Sequence, residues 1–173
     1  MSVEAKSLVP LEEYLHTDCS PDCEYVDGEI VERNVGERDH SICQGLIYAY
    51  LLARREQWGV YPLIELRTQV QRTRFRVPDV CVFLGGPPAE QIPTRSPFIA
   101  IEILSPEDRV SVMEKRIADY LTFGVRYVWV IDPQERRAFV HTAEGRVESK
   151  DIVLRTDNPE VVLTLQEIFA ALQ

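Results

Sequence analysis

Two rhythms of apolar spacing run through this chain, one helical and one of strands. Pro10-Leu-Glu-Glu-Tyr-Leu reads as a short helix with proline near its start. Residues 23–31 read as a hairpin, because Asp27-Gly28 separates two short β-favouring runs. From about 38 to 57, Ile42, Leu46, Ala49, Leu52 and Ala53 recur at helical spacing and are expected to face the core, with Gly59 closing the helix. Two β-rich runs follow, 61–71 and 75–84, split by Arg72-Thr73-Arg74, and then a Gly85-Gly86-Pro87-Pro88 loop. Residues 97–104 are almost continuously apolar, as in a strand buried on both faces. Ser105-Pro106-Glu107 predicts a helix running to about Phe123, with Ser105 as its N-cap and Gly124 as its stop. Residues 125–131 form another buried strand, Asp132-Pro133 a turn, 137–142 and 147–154 further strands, and 165–172 a terminal helix. This order predicts an α/β fold, a mixed sheet flanked by helices.

At 173 residues the chain has the length of one domain. The expected organisation is a loose tail over 1–9 and a single domain over 10–173. The net charge of −9 argues against a protein that coats nucleic acid non-specifically, since phosphate neutralisation drives such binding, though it leaves room for a local basic groove. Basic residues are lopsided, 16 Arg against 3 Lys, and Arg67, Arg72, Arg74 and Arg76 fall within ten residues. Arginine suits bidentate phosphate contact; the plainer reading of this run is a solvated strand face. Cys19, Cys23, Cys43 and Cys81 form no CxxC pair and have no zinc-type partner spacing. The longest apolar run is far short of the ~20 residues a membrane span needs, and MSVEAKSLVP lacks the apolar stretch of a signal peptide. These features point to a cytoplasmic protein with reduced thiols and no membrane partner.

Two carboxylates occupy unusual places. Asp79 follows Val77-Pro78 at the head of a strand, and Glu102 interrupts the apolar run FIAIEIL. By strand alternation Glu102 shares a face with Phe98, Ala100 and Leu104, while Ile99, Ile101 and Ile103 take the other. An unpaired carboxylate there costs several kcal/mol, so a metal, a cation or solvent must compensate it. Taken singly, Glu102 is explained by a salt bridge at the strand exit and Asp79 by a turn after proline. Taken together, two acidic ligands on neighbouring strands with a lysine nearby are what Mg²⁺-assisted phosphodiester hydrolysis requires. Gly-rich phosphate loops, a GxSxG elbow and HExxH are absent.

The spacing of Pro78-Asp79 and Glu102-Ile103-Leu104 resembles the PD-(D/E)XK nuclease superfamily. More narrowly the chain resembles its Uma-two branch, described as a putative restriction endonuclease of unknown function. The resemblance spans about residues 10–170. It rests on Glu24-Tyr-Val-Asp-Gly-Glu29, His40, Val77-Pro-Asp79, Ile101-Glu-Ile-Leu-Ser-Pro106 and the segment 119–133. It implies a restriction-endonuclease-like fold and a metal held by Asp79, Glu102 and the backbone carbonyl of Ile103. The superfamily's lysine two residues after the acid is Leu104 here. In this branch a helix lysine four residues before a tyrosine is thought to replace it; that position is Arg116, with Lys115 adjacent. Arginine cannot act as a base, but it can anchor phosphate. Lys115 and Arg116 lie about 100° apart on a helix, so one of the two is expected to face the site. The resemblance also implies that Glu24 completes the metal shell; the plainer reading is a surface hairpin carboxylate.

His40 at a helix start fits a helper donor or a phosphate contact, or simply a locally bonded helix-entry residue, and Gln44 shares its face one turn on. Gln69 and Gln71 alternate along a strand near Asp79 and are candidates to line a cleft, whereas His16 and His141 have no metal-spaced partner. The expected function is a Mg²⁺-dependent (or Mn²⁺-dependent) nuclease acting on nucleic acid, with DNA favoured, in a homodimer. The alternatives are a catalytically impaired nucleic-acid-binding module, motivated by Leu104 and Arg116, and an interaction protein with a vestigial site.

Overall fold

The computed structural model describes residues 8–17, 23–33 and 36–172. After a short helix α1 (Leu11–His16), the chain forms the hairpin β1 (Cys23–Val26) and β2 (Glu29–Glu32), closed by Asp27 and Gly28, both at positive φ. Helices α2 (Arg38–Ala53) and α3 (Arg55–Trp58) follow, then β3 (Val60–Ile64), β4 (Thr68–Gln71), β5 (Arg74–Arg76), β6 (Val80–Leu84) and β7 (Ile99–Ile103). The second half holds α4 (Val110–Phe123), β8 (Tyr127–Asp132), β9 (Arg137–Thr142), β10 (Gly145–Glu148), β11 (Val153–Arg155), β12 (Val162–Thr164) and α5 (Gln166–Ala170).

The large sheet has the order β10-β9-β8-β7-β6-β3. It is mixed: β7 and β8 run parallel, joined through α4, and the other neighbours are antiparallel. Its two faces carry separate cores. Ile99, Ile101, Ile103, Val80, Val82 and Trp129 pack with Cys43, Ile47 and Leu51 of α2 and with Ile168 and Phe169 of α5. Ala100, Val128 and Val130 pack on the opposite face with Met113, Ile117 and Tyr120 of α4. The alternation expected for β7 is therefore present from Ile99 to Leu104 and turns Glu102 toward α4, but Phe98, just ahead of the strand, packs with the isoleucine-side core and not on the Glu102 face. A smaller antiparallel sheet, β2-β1-β5-β4, carries its own aromatic cluster of Tyr14, Tyr25 and Phe75, and β11 pairs with β12.

Several elements differ from the sequence reading for identifiable reasons. The runs 61–71 and 75–84 each divide between the two sheets, as β3 with β4 and β5 with β6. Glu65 turns the first at positive φ. Pro78, which has no N–H for a ladder, lies in the link between β5 and β6. The long helix stops at Ala53, and Arg54, outside helical geometry, separates it from α3; Gly59 caps α3 in the left-handed region. The stripe of α2 is rotated by one residue from expectation. Cys43, Ile47 and Leu51 are buried, while Leu46, Ala49 and Ala53 are exposed. Apolar residues ring this helix, so spacing alone does not choose the inward side. Helix α4 starts at Val110 and not at Ser105, because residues 105–108 close on themselves: the Ser105 N–H meets Asp108 Oδ2 at 2.7 Å and the Asp108 N–H meets the Ser105 carbonyl at 2.9 Å. Strand β12 falls where no element was predicted.

Of the expected tail over 1–9, residues 1–7 lie outside the described residues. Val9 is tied down: its N–H donates to the Gly28 carbonyl at 2.8 Å and its carbonyl accepts from the Tyr25 hydroxyl at 2.8 Å. Cys43 and Cys81 are free thiols, as expected, but Cys23 is disulfide-bonded. Among the described residues no helix is long and apolar enough to cross a membrane.

Candidate active site

Strands β6 and β7 pair in a register that sets Val80 against Ile101. One step further places Asp79 opposite Glu102, so the two carboxylates meet at one end of the large sheet. Both are buried, 2% and 1% exposed, and each is held by several groups.

Asp79 Oδ2 accepts from the Ile103 N–H at 2.7 Å and lies 3.3 Å from His40 Nε2, while Oδ1 accepts from Arg33 Nη2 at 2.5 Å. Burial opposes the charged form. The His40 hydrogen bond, the charges of Arg33 and His40, and the Ile103 amide outweigh it and hold Asp79 below its ordinary pKa. Glu102 lies deeper. Tyr120 donates to its Oε1 at 2.6 Å and Arg116 Nη1 reaches Oε2 at 3.3 Å. Burial is the main cause of its upward shift, and the carboxylates of Asp79 and Glu24 add to it. Against the pull of Arg116 and Tyr120 the pKa is still pushed up to about 7.

A second layer fixes this pair. Glu24 on β1, fully buried, accepts from Arg76 Nη1 at 2.5 Å, Arg116 Nε at 3.2 Å and the Val77 N–H at 3.2 Å. Asp119 on α4 accepts from Arg76 Nε and Nη2 at 2.9 and 2.6 Å, and from Arg74 Nη1 at 2.9 Å. Arg76 thus ties the small sheet to α4. The buried charges are paired and multiply hydrogen-bonded, as burial requires.

Of the candidates from the sequence, Asp79, Glu102, Ile103, Arg116, Glu24, His40 and Gln44 come together. Gln44 Nε2 donates to the Asp79 carbonyl at 3.0 Å and to Glu65 Oε1 at 3.2 Å. His40 Nδ1 is buried and has no partner among the described residues. Lys115 and Arg116 are separated by the helix as expected: Arg116 is buried in the cluster and Lys115 is exposed. Gln69 bonds the Arg72 carbonyl, Gln71 is exposed, and neither lines the recess at Asp79 or the one adjoining it at Arg116. His16 bonds the Glu12 carbonyl within its own helix, and His141 lies on β9 outside the cluster.

The solvated-face reading of the arginine run fails for Arg76, which is 3% exposed, and for half-buried Arg74. Arg67 lies over the Tyr14 ring and Arg72 is exposed. From the sequence no role at the site is assigned to Arg33, Asp119, Tyr120 or Glu65, and Arg76 is read only as part of the arginine run. For Arg76 a signal existed: it alternates with Phe75 on a strand that runs directly into Val77-Pro78-Asp79.

The oxygens of Asp79 and Glu102 are hard donors of the type Mg²⁺ prefers, and two carboxylates are the number it usually takes from a protein. In the chemistry of their oxygens the donors fit such an ion. Among the described residues, however, no three His, Cys, Asp or Glu side chains are grouped as around a bound metal. Arginines hold the charge instead. The recess bounded by Arg33, His40, Asp79, Ser105, Asp108 and Arg116 measures about 10 Å³, room for a single water or ion.

The family described as "Putative restriction endonuclease", Uma2, matches residues 11–173. No curated protein matches the chain. Among solved structures the chain is similar to the crystal structure of "a putative nuclease belonging to DUF820" from Anabaena variabilis ATCC 29413. The TM-score is 0.82 at 24% identity over 95% of this chain and 99% of that one. That likeness establishes the shared fold.

Proposed function

The chain belongs to the Uma2 family, and on that footing we propose that it is a divalent-cation-dependent nuclease that hydrolyses phosphodiester bonds, with DNA as the favoured substrate. Asp79, Glu102 and the Ile103 carbonyl would hold Mg²⁺ or Mn²⁺. Such an ion, when bound, polarises the phosphate and lowers the pKa of a water. Arg116, fixed from both sides by Glu24 and Glu102, stabilises charge that develops on the phosphate. His40 and Gln44 position Asp79, one through its carboxylate and the other through its backbone carbonyl.

The observation that carries this reading is the register that sets two buried carboxylates opposite each other at one sheet end. Two copies about a two-fold axis would present a site to each strand of a duplex.

A second reading, a nucleic-acid-binding or regulatory module without turnover, is favoured by one observation. Leu104 packs against the core where the superfamily places lysine, and the exposed Lys115 offers no substitute. Incubation of the purified protein with plasmid DNA in Mg²⁺ or Mn²⁺ separates the two. Nicking or linearisation that disappears in Asp79→Ala and Glu102→Gln is expected. Salt-dependent duplex binding with no cleavage in either metal supports the module instead.

A further inference from the structure

Arg33 directly follows β2 and reaches over the carboxylate end of the large sheet. Its Nη2 donates to Asp79 at 2.5 Å, its Nη1 lies 3.9 Å from Glu65, and 11% of its side chain is exposed. Its charge is felt by Glu102 and Glu24 as well as by Asp79. The other arginines of the cluster each grip two carboxylates closely: Arg76 holds Glu24 and Asp119, Arg116 holds Glu24 and Glu102, and Arg74 holds Asp27 and Asp119. Among the described residues Arg33 has one close carboxylate, Asp79, and sits just past an edge strand. It is the member with least to lose by moving. Arg33 lines the small recess at Asp79, and a larger one of about 560 Å³ adjoins it, sharing Asp108 and Arg116 and lined also by Val31 and Glu32, the two residues before Arg33.

We propose that Arg33 is a phosphate-binding residue that exchanges partners, neutralising Asp79 in the free protein and passing to the phosphodiester of the substrate when Asp79 takes up a divalent cation. The proposal rests on the nuclease reading above. Its physical basis is that a guanidinium and a divalent cation cannot both claim the same buried carboxylate oxygen. A guanidinium released from a carboxylate finds in a phosphate the same pair of anionic oxygens. Asp79 is then never left as a buried, unpaired charge, a strongly destabilising state. Arg33 in this arrangement touches substrate, unlike Arg76, which only braces the site.

Two equilibrium measurements test it without turnover. Mn²⁺ is titrated calorimetrically into wild type, Arg33→Gln and Asp79→Ala with no nucleic acid present. A fluorescein-labelled phosphorothioate DNA duplex is then titrated by anisotropy in Ca²⁺. Arg33→Gln is expected to bind Mn²⁺ about tenfold more tightly than wild type. Its duplex affinity is expected to fall about tenfold, with the log–log salt slope reduced by about one. Unchanged or weaker Mn²⁺ binding in Arg33→Gln overturns the competition, and undiminished duplex affinity overturns the phosphate contact. If Asp79→Ala abolishes Mn²⁺ binding while Arg33→Gln behaves as wild type, the metal site stands and the exchange falls. If wild type and both variants bind neither Mn²⁺ nor duplex, the nuclease reading falls with it. Arg33→Lys, which keeps the charge and loses the fork, covers the case in which glutamine is not tolerated. It should bind Mn²⁺ as wild type does and duplex more weakly, and equal duplex affinity overturns the proposal.

Discussion

Tyr120 donates its hydroxyl hydrogen to Glu102 Oε1 at 2.6 Å, from a position one turn beyond Arg116 on α4. One helix therefore supplies both groups that hold the deeper carboxylate, and they act on different oxygens. The bond favours ionised Glu102, so Tyr120→Phe should cost most where Glu102 is ionised. We expect a loss of about 1.5–3 kcal/mol at pH 8 and a smaller one at pH 5, measured by urea unfolding. An equal loss at both pH values contradicts this role.

Glu102 also sets a pH dependence of the fold. Its folded pKa of about 7 exceeds the ordinary 4.5, so between these values the folded state holds more proton than the unfolded. Stability from this group is complete below the unfolded value and is lost as pH rises through about 7, by roughly 3 kcal/mol in all. His40, whose pKa is also raised, acts with the same sign as pH rises. Asp79 acts oppositely: its pKa is lowered, so its contribution is lost as pH falls below the ordinary 3.8. Glu102→Gln should flatten the fall in stability between pH 5 and 8. A variant with the wild-type slope would show that other groups control it.

Glu24 serves as the anion for two arginines from different elements. Glu24→Ala leaves Arg76 and Arg116 short of charge in a dry interior and should destabilise the fold by about 3–5 kcal/mol. A midpoint of denaturation within experimental error of wild type would mean that water reaches this cluster.

The thiols of Cys43 and Cys81 should be inert in the native state. Burial pushes Cys43 up to about 11 and Cys81 up to about 12, and the thiolate is the reactive form. An aromatic disulfide reagent at pH 8 should leave both unmodified until denaturant is added. Rapid labelling of Cys81 in native buffer would refute its burial within the large sheet.

Local patterns revealed half of this site. Glu102 announces itself because a carboxylate in an isoleucine-rich strand demands compensation, and Asp79 because proline precedes it at the head of a strand. The hairpin at Asp27-Gly28 was equally legible, since the turn chemistry is contained in two residues. The partners were not. Arg33 reaches Asp79 across 46 positions, and Arg76 reaches Glu24 across 52 and Asp119 across 43; nothing near an arginine in sequence says which distant acid it will meet. The start of α4 misled for a related reason. Ser105-Pro106 carries a helix-opening signature, but Asp108 captures the Ser105 amide first and delays the helix to Val110. In α2 the trouble was abundance: apolar residues on every side make the inward stripe a tertiary decision.

The bond between Glu24 and Arg116 spans 92 residues, more than half the chain. During synthesis β1 emerges well before α4, yet its carboxylate has no full set of partners until α4 has left the ribosome. Long-range contacts of this kind close late, after local hairpins and helices have formed. A chain arrested before residue 116 therefore lacks an assembled centre, whatever hairpins it has made. The buried charge on Glu24 is thus left to solvent and transient partners until a helix 92 residues downstream arrives to claim it.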